Sequence, residues 1–595
     1  MLRKLLLVGT LQGWGLWALW QANELKLWPA TDNISLHALL YLALSVPLAI
    51  YLSADLSSVS RTRRIQLLVF IAVLFPVLGA YSGWANDFID AASFDTRRFR
   101  PGDLLAASVL GFVLIPLLAH FNKSTRSWTY HDLFATAWRN AMLCLSAGAL
   151  TGLFWVVLVA GSGLLDLIGL SFMRQLIGQA VFMIPVTSIA FSTAFALGLA
   201  RSEMVITLRR FQLSMLAWLL PLLMMFILVW VTALPFTGVD ALFKTHDAAF
   251  IMLWCAALCI NFVNAAYQDG LTPPPYAAWL SRSLAWAWLG LLVVVSVAWW
   301  AMGLRIAQYG WSEDRVWGVF VALMASIYVL GYALSAWRAQ PWLASISQTN
   351  VIAAVVLCLG LLALLTPLAD ARRIAVNSQM QRLSAQTVTL EKFDFDYLRW
   401  EAGRYGREAL AQLAAGIAHP EQAAIAAKAQ LFIAKTRRWG SENETLSAAQ
   451  LRSKLRVLPS KAVLDEKLIS AMMAAEKQHW LLRRCFELNS ECAVWLVDVN
   501  HDQRLDAVLF AREAGRAEAG VMLMQNFGDN YRLNAEFSAS NVCYEDSLAQ
   551  IAAGNFKLVK PEFNDIEIAG QRFQLRAYLP TTNSSCGKNN AKKSN

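Results

Sequence analysis

Charged residues are scarce in this sequence, and long stretches contain none. Asp, Glu, Lys and Arg make up 15% of the 595 residues, whereas an average soluble domain is about a quarter charged. Hydrophobic residues make up 57% of the chain, and the mean hydropathy is +0.44. This composition excludes an ordinary soluble protein and predicts an integral membrane protein.

Catalytic and nucleic-acid-binding motifs are also missing. No GxSxG, Walker A, HExxH or CxxC motif occurs in a setting that would use it, and the seven His residues show no metal-ligand spacing. The net charge of +10 is explained by basic loops between membrane spans, and no basic patch with interleaved aromatics points to nucleic acid. We therefore expect no nucleic-acid partner and favour a protein without enzymatic activity, although the catalytic question stays open.

What the sequence does contain is a series of uncharged apolar runs. A run of about 20 residues crosses the hydrocarbon core of a bilayer as a helix. About eleven such runs occur, the first of which we interpret as a membrane helix rather than a signal peptide. They lie near residues 5–22, 35–52, 65–82, 104–121, 141–163, 176–200, 213–235, 248–267, 284–304, 316–337 and 350–369.

The basic residues between these runs predict an orientation. Lys and Arg are more numerous in the segments that share a side with the N-terminus, which predicts a cytoplasmic N-terminus. Because eleven is odd, the chain after residue 370 would lie on the opposite side. In a bacterial inner membrane that side is the periplasm. The lipid bilayer is then the first partner that the sequence implies.

The sequence after the last run changes from helical to strand periodicity. We predict a polytopic α-helical membrane protein with about eleven transmembrane helices and a C-terminal soluble α+β domain. Its predicted strands include CAVWLVDV, DAVLFA, GVMLMQ, YRLNAEF and NFKLV. The predicted divisions are a bundle at 1–370, a helical part at 371–490, a β-rich part at 491–582 and a disordered tail at 583–595.

The eight cysteines divide evenly between the two regions. Four lie inside predicted spans, where a small apolar side chain needs no further role. The other four lie in the tail, and an even number in an oxidising compartment predicts two disulfides among three connectivities, with unpaired thiols as the alternative. Proximity favours Cys485 with Cys492 and Cys543 with Cys586.

An acidic loop stands between two predicted strands in WLVDVNHDQRLDAVLF. Counted from the first acid, positions 1, 3, 5 and 9 carry oxygen side chains and position 7 offers a carbonyl, a spacing that suits a structural Ca²⁺. Position 6, usually Gly, is Gln503, which argues against the sharp turn. A polar hairpin whose side chains cap their own turn is the alternative. The candidate ligands are Asp498, Asn500, Asp502, Arg504 and Asp506.

Two further polar sets lie in or beside the predicted spans. The loop at 84–103 has acids and arginines that suit a cation, a phosphate or a carboxylate, or that form internal ion pairs in an interfacial segment. Within the eighth span, Asn261 and Asn264 favour hydrogen bonds between helices. The ligand-binding candidates in the loop are Asp87, Asp90, Asp95, Arg97, Arg98 and Arg100.

The segment LEKFDFDYLRWEAGRYGREALAQL follows the last span. Its pattern of Phe393, Asp394, Tyr397, Leu398, Arg399, Gly403, Tyr405 and Gly406 resembles the bacterial DUF4153 family of inner-membrane proteins of unknown function. The resemblance implies a location in the cell envelope and implies no activity. The two glycines predict close packing or a tight bend, with a ligand role as the alternative.

Three functional hypotheses remain. The first is a non-enzymatic one, in which the periplasmic domain binds an envelope protein or ligand and the bundle anchors it or signals. The second is a transporter or flippase for a lipid-linked or amphipathic envelope precursor. The third is a GT-C-like polyprenyl-phosphate-dependent glycosyltransferase, whose general layout is similar, although the first outer loop lacks the paired acids of those enzymes.

Overall fold

A computed structural model of the chain forms two compact units, Met1–Ala434 and Lys435–Asn595. Each unit is described by itself. The structure describes all residues except 1, 31–33, 45–49, 53–58, 87–100, 123, 240–246, 272, 338–344, 436–447, 461, 476–478, 480, 481, 483, 487–489, 514–516, 537–541, 560–565, 569, 570 and 574–595.

The first unit is built from apolar helices. Twelve precede residue 365 in the described part: α1 Leu2–Glu24, α2 Ile34–Ala43, α3 Arg61–Ala85, α4 Pro101–His120, α5 Tyr130–Leu167, α6 Phe172–Ile177, α7 Ala180–Ala200, α8 Ser202–Thr237, α9 Ala248–Tyr267, α10 Ala278–Tyr309, α11 Glu313–Trp337 and α12 Ile346–Leu364. Of these, nine are long and apolar enough to cross a membrane, namely α3, α4, α5 and α7 to α12. The predicted class of polytopic helical membrane protein is confirmed, while the count of eleven spans stays a prediction.

Local chemistry explains where the helices begin and end. The Ser60 hydroxyl accepts a hydrogen bond from the backbone N–H of Arg63 at the start of α3. At the end of α4, Arg63 donates to the backbone carbonyls of Leu118 and Phe121, which satisfies oxygens that the helix itself leaves free. The chain then turns through a short hairpin of β1 Phe121–Asn122 and β2 Ser127–Trp128.

The bundle contains two main apolar cores. One surrounds Phe75 and Phe195 and joins α3, α4, α5, α7 and α12. The other surrounds Trp288 and Tyr332 and joins α8 to α11. Large apolar side chains also cover the outside of the spans; Leu167, for example, is 84% exposed. An apolar exterior of this kind suits contact with lipid.

Four helices after the last span belong to the same unit. They are α13 Ala371–Ser384, α14 Phe395–Trp400, α15 Gly403–Ala415 and α16 Gln422–Ala434. They share a core around Leu398 and Leu413. Tyr397 of α14 donates to Glu313 Oε1 over 3.0 Å, and Ser378 Oγ accepts from the Trp311 N–H over 3.0 Å. These bonds hold the four helices to the end of the bundle where α11 begins.

The two glycines of the segment after the last span make close contacts with their surroundings. Gly403 has a φ of +59°, and a Cβ there would lie 2.2 Å from the carbonyl oxygen of Ala85. A Cβ at Gly406 would lie 2.0 Å from the carbonyl oxygen of Leu398. The predicted close packing is therefore confirmed at both positions.

The second unit contains a mixed sheet with helices. The described elements are α17 Ala448–Lys454, β3 Arg456–Leu458, α18 Glu466–Ala475, β4 Ser490–Val497, β5 Asp506–Glu513, β6 Glu518–Asn526, β7 Tyr531–Glu536, β8 Val542–Cys543, α19 Tyr544–Ala552, β9 Ile566–Ile568 and β10 Gln571–Phe573. The sheet order is β3-β4-β5-β6-β7, with β8 paired to β6 and β9–β10 separate. The strand β3 runs parallel to β4, and the other pairs are antiparallel.

Strand alternation divides the core of this unit into two layers. Cys492 and Val494 pack in the core that contains α17 and α18, whereas Ala493 packs in the core that contains α19. The predicted α+β arrangement is therefore confirmed, while the boundaries at 370, 490 and 582 stay predictions. The predicted strand NFKLV is wrong. Its residue Phe556 packs edge to face on Trp495 at a centroid distance of 4.7 Å, so the segment covers the sheet instead of pairing with it.

Candidate functional site

The acidic loop is a hydrogen-bonded turn between β4 and β5. Asp498 accepts from the backbone N–H groups of Asp502 and Gln503 over 3.1 and 2.9 Å. Asp502 accepts in turn from the N–H of Arg504 over 2.9 Å. Gln503 has a φ of +67° and His501 a φ of +61°. Gln503 therefore adopts the left-handed conformation that Gly usually supplies, and the bond from its N–H to Asp498 supports it there. That Gln503 makes this turn more costly than Gly would stays a prediction.

Asp506 differs from the other acids of the loop because it is almost fully buried, with 1% exposure. Its two carboxylate oxygens accept from the N–H groups of Val499, over 3.2 Å, and Asn526, over 2.8 Å. The carboxylate thus ties the loop to β6. Among the described residues, no group of three or more His, Cys, Asp or Glu side chains is arranged to hold a metal ion. Calcium binding at this loop stays a prediction.

The tail cysteines form the predicted bond where the structure describes both partners. Cys485 and Cys492 are joined, with their Cα atoms 5.2 Å apart. Cys543 is also disulfide-bonded, whereas Cys586 lies outside the described residues. Cys144, Cys255, Cys259 and Cys358, all within spans, are free thiols. The tail is therefore a disulfide-bonded region, and the bundle cysteines pack as apolar side chains.

The six ligand candidates of the outer loop, Asp87, Asp90, Asp95, Arg97, Arg98 and Arg100, lie outside the described residues. Both ends of that loop are described and meet at a polar cluster. The Ser82 hydroxyl donates to Asp103 Oδ2 over 2.6 Å, and Asn86 Nδ2 donates to Ser82 Oγ over 3.2 Å. This cluster joins the end of α3 to the start of α4.

A buried ion pair lies next to this cluster. Arg372 binds Asp370 through two hydrogen bonds, Nη2 to Oδ2 at 2.6 Å and Nε to Oδ1 at 3.0 Å. Tyr81 donates to Asp370 Oδ2 over 2.6 Å and lies 3.1 Å from the Tyr405 hydroxyl. Arg372 also donates to Asn86 Oδ1. The pair thereby connects the bundle to α13 and to α15, which carries part of the motif that resembles the family.

The electrostatics of this pair favour the ionised forms. Burial raises the pKa of the Asp370 carboxyl, but the hydrogen bonds and charge of Arg372, together with the Tyr81 hydroxyl, hold it below its usual value. Burial lowers the pKa of Arg372, but Asp370 outweighs burial and raises it. Both side chains are nearly enclosed, with 6% and 2% exposure for Arg372 and Asp370. A permanently charged pair with occupied oxygens suits a structural connection better than proton transfer.

A second polar network lies within the membrane spans. Asn350 Nδ2 donates to Asn264 Oδ1 over 2.6 Å and to the Tyr130 hydroxyl over 2.8 Å. Asn264 Nδ2 donates to the Tyr332 hydroxyl over 2.9 Å, and Tyr332 donates to Asn350. Hydrogen bonding of Asn264 between helices is confirmed. The sequence did not point to Tyr130, Tyr332 or Asn350, because single Asn and Tyr residues in apolar runs form no distinctive pattern.

This network lies beside a cavity of about 230 Å³ between α4, α5, α9, α11 and α12. None of the described residues that line it is charged. It consists of Phe112, Val113, Pro116, Leu117, Tyr130, Leu133, Phe134, Ala137, Trp138, Asn264, Tyr328, Asn350, Val351 and Ala354. Amide and hydroxyl groups on one part and aromatic and aliphatic groups on the rest suit a molecule with a polar, uncharged group and an apolar body.

Comparison with known proteins identifies a family for most of this chain. The model of the family described as "Domain of unknown function (DUF4153)" matches residues 14–413. No curated protein and no solved structure matches the chain. The match includes the buried ion pair, the network at Asn350 and the cavity, and it ends before the disulfide and the acidic loop. Because it covers more than half of the chain, the protein belongs to the DUF4153 family.

Proposed function

We propose that the membrane unit binds an amphipathic, lipid-like molecule between its helices and moves it within the bilayer, as a transporter or flippase does. The cavity beside Asn264 and Asn350 carries this proposal. A polar group inside a membrane is costly unless it has a hydrogen-bonding partner. A ligand with a hydroxyl group would find the Tyr130 hydroxyl and the two amide oxygens at one part of the cavity and aromatic surface at the rest.

The experiment fills the cavity without changing the charge of the protein. The full chain is reconstituted in lipid nanodiscs, and a diazirine-bearing monoacylglycerol is the photoreactive probe, because it combines a hydroxylated head with one apolar chain. Labelled peptides are identified by mass spectrometry. Labelling of Tyr130, Asn350 and their neighbours is expected in the wild type. Ala137→Trp, which fills the cavity from α5, should remove that labelling.

Ala149→Trp is the matched control, because Ala149 lies on the same helix with an exposed side chain. It should leave labelling at the cavity unchanged. The proposal is overturned if the probe labels only the outer faces of the helices, or if both substitutions lower cavity labelling equally. A flipping assay with a fluorescent lipid in liposomes then separates movement from binding, since Ala137→Trp should also slow movement across the bilayer.

A second candidate function concerns the C-terminal unit, which we propose to bind an envelope protein or ligand. Two exposed apolar side chains support it. Leu505 is 51% exposed and Phe527 is 48% exposed, and Asn526 Nδ2 and the Tyr531 hydroxyl both bond to the Leu505 carbonyl, over 3.2 and 3.1 Å. The two side chains therefore belong to neighbouring turns. Leu505→Ser with Phe527→Ser should lower the yield of crosslinked partner in membranes, whereas Val463→Ser, at an 83% exposed position, should not.

We also propose that this is a bacterial inner-membrane protein with a cytoplasmic N-terminus and a periplasmic C-terminal unit. The disulfide between Cys485 and Cys492 supports an oxidising compartment for that unit. Alkaline phosphatase is active only after export. A fusion of the enzyme after the C-terminal residue should therefore be active, and activity from a fusion at the N-terminus alone would reverse the proposed orientation.

A further inference from the structure

A groove of about 500 Å³ lies between α3, α4 and α12. Of the described residues that line it, Arg63 and Gln66 near the start of α3 are polar and the others are apolar. Phe70 and Leu359 line its apolar part and are 48% and 62% exposed. The groove therefore opens on an apolar face of the bundle and has a cationic group at one end.

Only one guanidinium nitrogen of Arg63 forms hydrogen bonds within the described part of the chain. Its Nη2 donates to the Leu118 carbonyl over 3.1 Å and to the Phe121 carbonyl. Within the described part of the chain, its Nε and Nη1 have no hydrogen-bond acceptor, and the exposed Gln66 amide has no partner. A guanidinium held in place through one nitrogen presents its remaining donors in a fixed plane, which suits the oxygens of a phosphate.

The position of Arg63 along the membrane supports a lipid as the occupant. It is the third residue of a membrane span, near the end of α4, where the Phe121 and Trp128 rings lie 4.9 Å apart and Trp128 Nε1 donates to the Leu117 carbonyl over 2.8 Å. Aromatic and basic side chains at a helix end are typical of the level of lipid headgroups. Among the described residues, no acidic side chain lines the groove.

We propose that this groove binds one anionic phospholipid, with its phosphate at Arg63 and Gln66 and an acyl chain along the apolar walls. The site is separate from the cavity at Asn350, although Leu117 lines both. The occupant comes from the bilayer, because a soluble phosphate ion would leave the apolar walls without a partner.

The test measures lipid binding to the delipidated full chain in detergent by native mass spectrometry. Phosphatidylglycerol and phosphatidylcholine are the probes, and phosphatidylglycerol should bind more tightly. Gln66→Glu places a negative charge at the headgroup site without touching the bonds that Arg63 makes to α4. It should raise the Kd for phosphatidylglycerol about tenfold, as expected for the loss of one charge-assisted interaction. Arg63→Gln should do the same, and Arg63→Lys should lose less.

Thr62→Glu is the matched control, since Thr62 is exposed on the same turn but lies outside the groove. It makes the same change in charge and should alter the Kd by less than about twofold. Equal losses in Thr62→Glu and Gln66→Glu, or none in Gln66→Glu, would overturn the site. Displacement of the lipid by inorganic phosphate would overturn the choice of a phospholipid, because it would identify an ion site.

Discussion

The polar networks of the membrane unit and the acidic loop of the C-terminal unit use polar side chains in different ways. In the membrane unit Asn264 and Asn350 bond to each other across 86 positions. Asp370 and Arg372 bond to each other and also to Tyr81 and Asn86, which lie 289 and 286 positions away, respectively. In the C-terminal unit the polar residues of the acidic loop mostly bond to backbone groups a few residues away. Long-range polar bonds position helices relative to one another, whereas local ones shape a turn.

The boundary between these two kinds of bonding agrees with the range of residues that the family model matches. The DUF4153 match ends at residue 413, so the long-range networks lie inside it and the acidic loop outside it. The features that sequence analysis found most readily, a spaced row of acids and four tail cysteines, belong to the part outside the match. Disrupting the two kinds of bond should therefore have effects of different size, with the largest loss of stability at the buried ion pair.

The buried ion pair should give the largest effect on stability. Asp370→Ala leaves the Arg372 guanidinium buried without its counter-charge, which should lower the free energy of unfolding by about 3–5 kcal/mol. The measurement is thermal unfolding of the purified chain in detergent, followed by tryptophan fluorescence. Asp166→Ala, which removes the exposed pair with Arg174, is the control and should cost less than about 1 kcal/mol. Equal losses would show that the buried network contributes no more than a surface pair.

The same pair predicts a dependence on pH. The pKa of Asp370 is lower in the folded protein than its usual value of 3.8. The stabilisation is therefore complete above that usual value and is lost as the pH falls through the folded pKa. Acid unfolding of the wild type should include this loss, and Asp370→Ala should be less sensitive to pH below about 4. Parallel pH profiles for the two proteins would contradict the predicted ionised pair.

Loss of the disulfide should have the next largest effect on stability, and only in the C-terminal unit. Cys485→Ala with Cys492→Ala removes a bond across seven positions, and for so short a loop the expected loss is about 2 kcal/mol. The readout is limited proteolysis of the full chain, with cleavage in the C-terminal unit expected to become faster. Cys255→Ala, a free thiol in α9, should not change cleavage there. Faster cleavage within the membrane unit would show that the disulfide supports more than its own unit.

Much of the fold followed from the sequence, for identifiable physical reasons. Apolar runs specify membrane helices because lipid leaves the backbone no alternative. The alternation of side chains along the chain predicted β4 to β7, because the two faces of the sheet pack against two different cores. The prediction of a strand at NFKLV was wrong because apolar residues are needed equally in a strand and in an irregular segment that packs over a sheet.

The candidate site was harder to predict because its members are far apart in sequence. Tyr81 and Asp370 are separated by 289 positions, and neither has a local pattern that reveals the other. The same holds for Tyr130 and Asn350, separated by 220. By contrast, Asn264 was identified because an amide within an apolar run needs a partner. The rule that a buried amide needs a partner identified one member of the network. The other members became visible only from the packing of the helices.

The intramembrane network should give a smaller effect on stability than the ion pair, although it lines the proposed ligand site. Asn350→Ala removes hydrogen bonds to Asn264, Tyr130 and Tyr332. Such bonds between membrane helices contribute about 1 kcal/mol each or less, so the protein should fold with a slightly lower unfolding temperature. Photolabelling by the monoacylglycerol probe should fall more than stability does. Unchanged labelling in a folded variant would separate the network from the cavity.

The acidic loop should give the smallest effects, and it distinguishes two interpretations. If Asp506 serves the turn, Asp506→Asn should cost about 1 kcal/mol, since one buried N–H loses its acceptor, whereas the exposed Asp502→Asn should cost less than about 0.5 kcal/mol. If the loop binds Ca²⁺, adding the ion should raise the unfolding temperature of the wild type but not of Asp498→Asn or Asp502→Asn. No shift with Ca²⁺ at saturating concentration would exclude the metal and leave the hydrogen-bonded turn. In that case the shape of the loop rests on its own hydrogen bonds, in contrast to the long-range bonds that position the membrane helices.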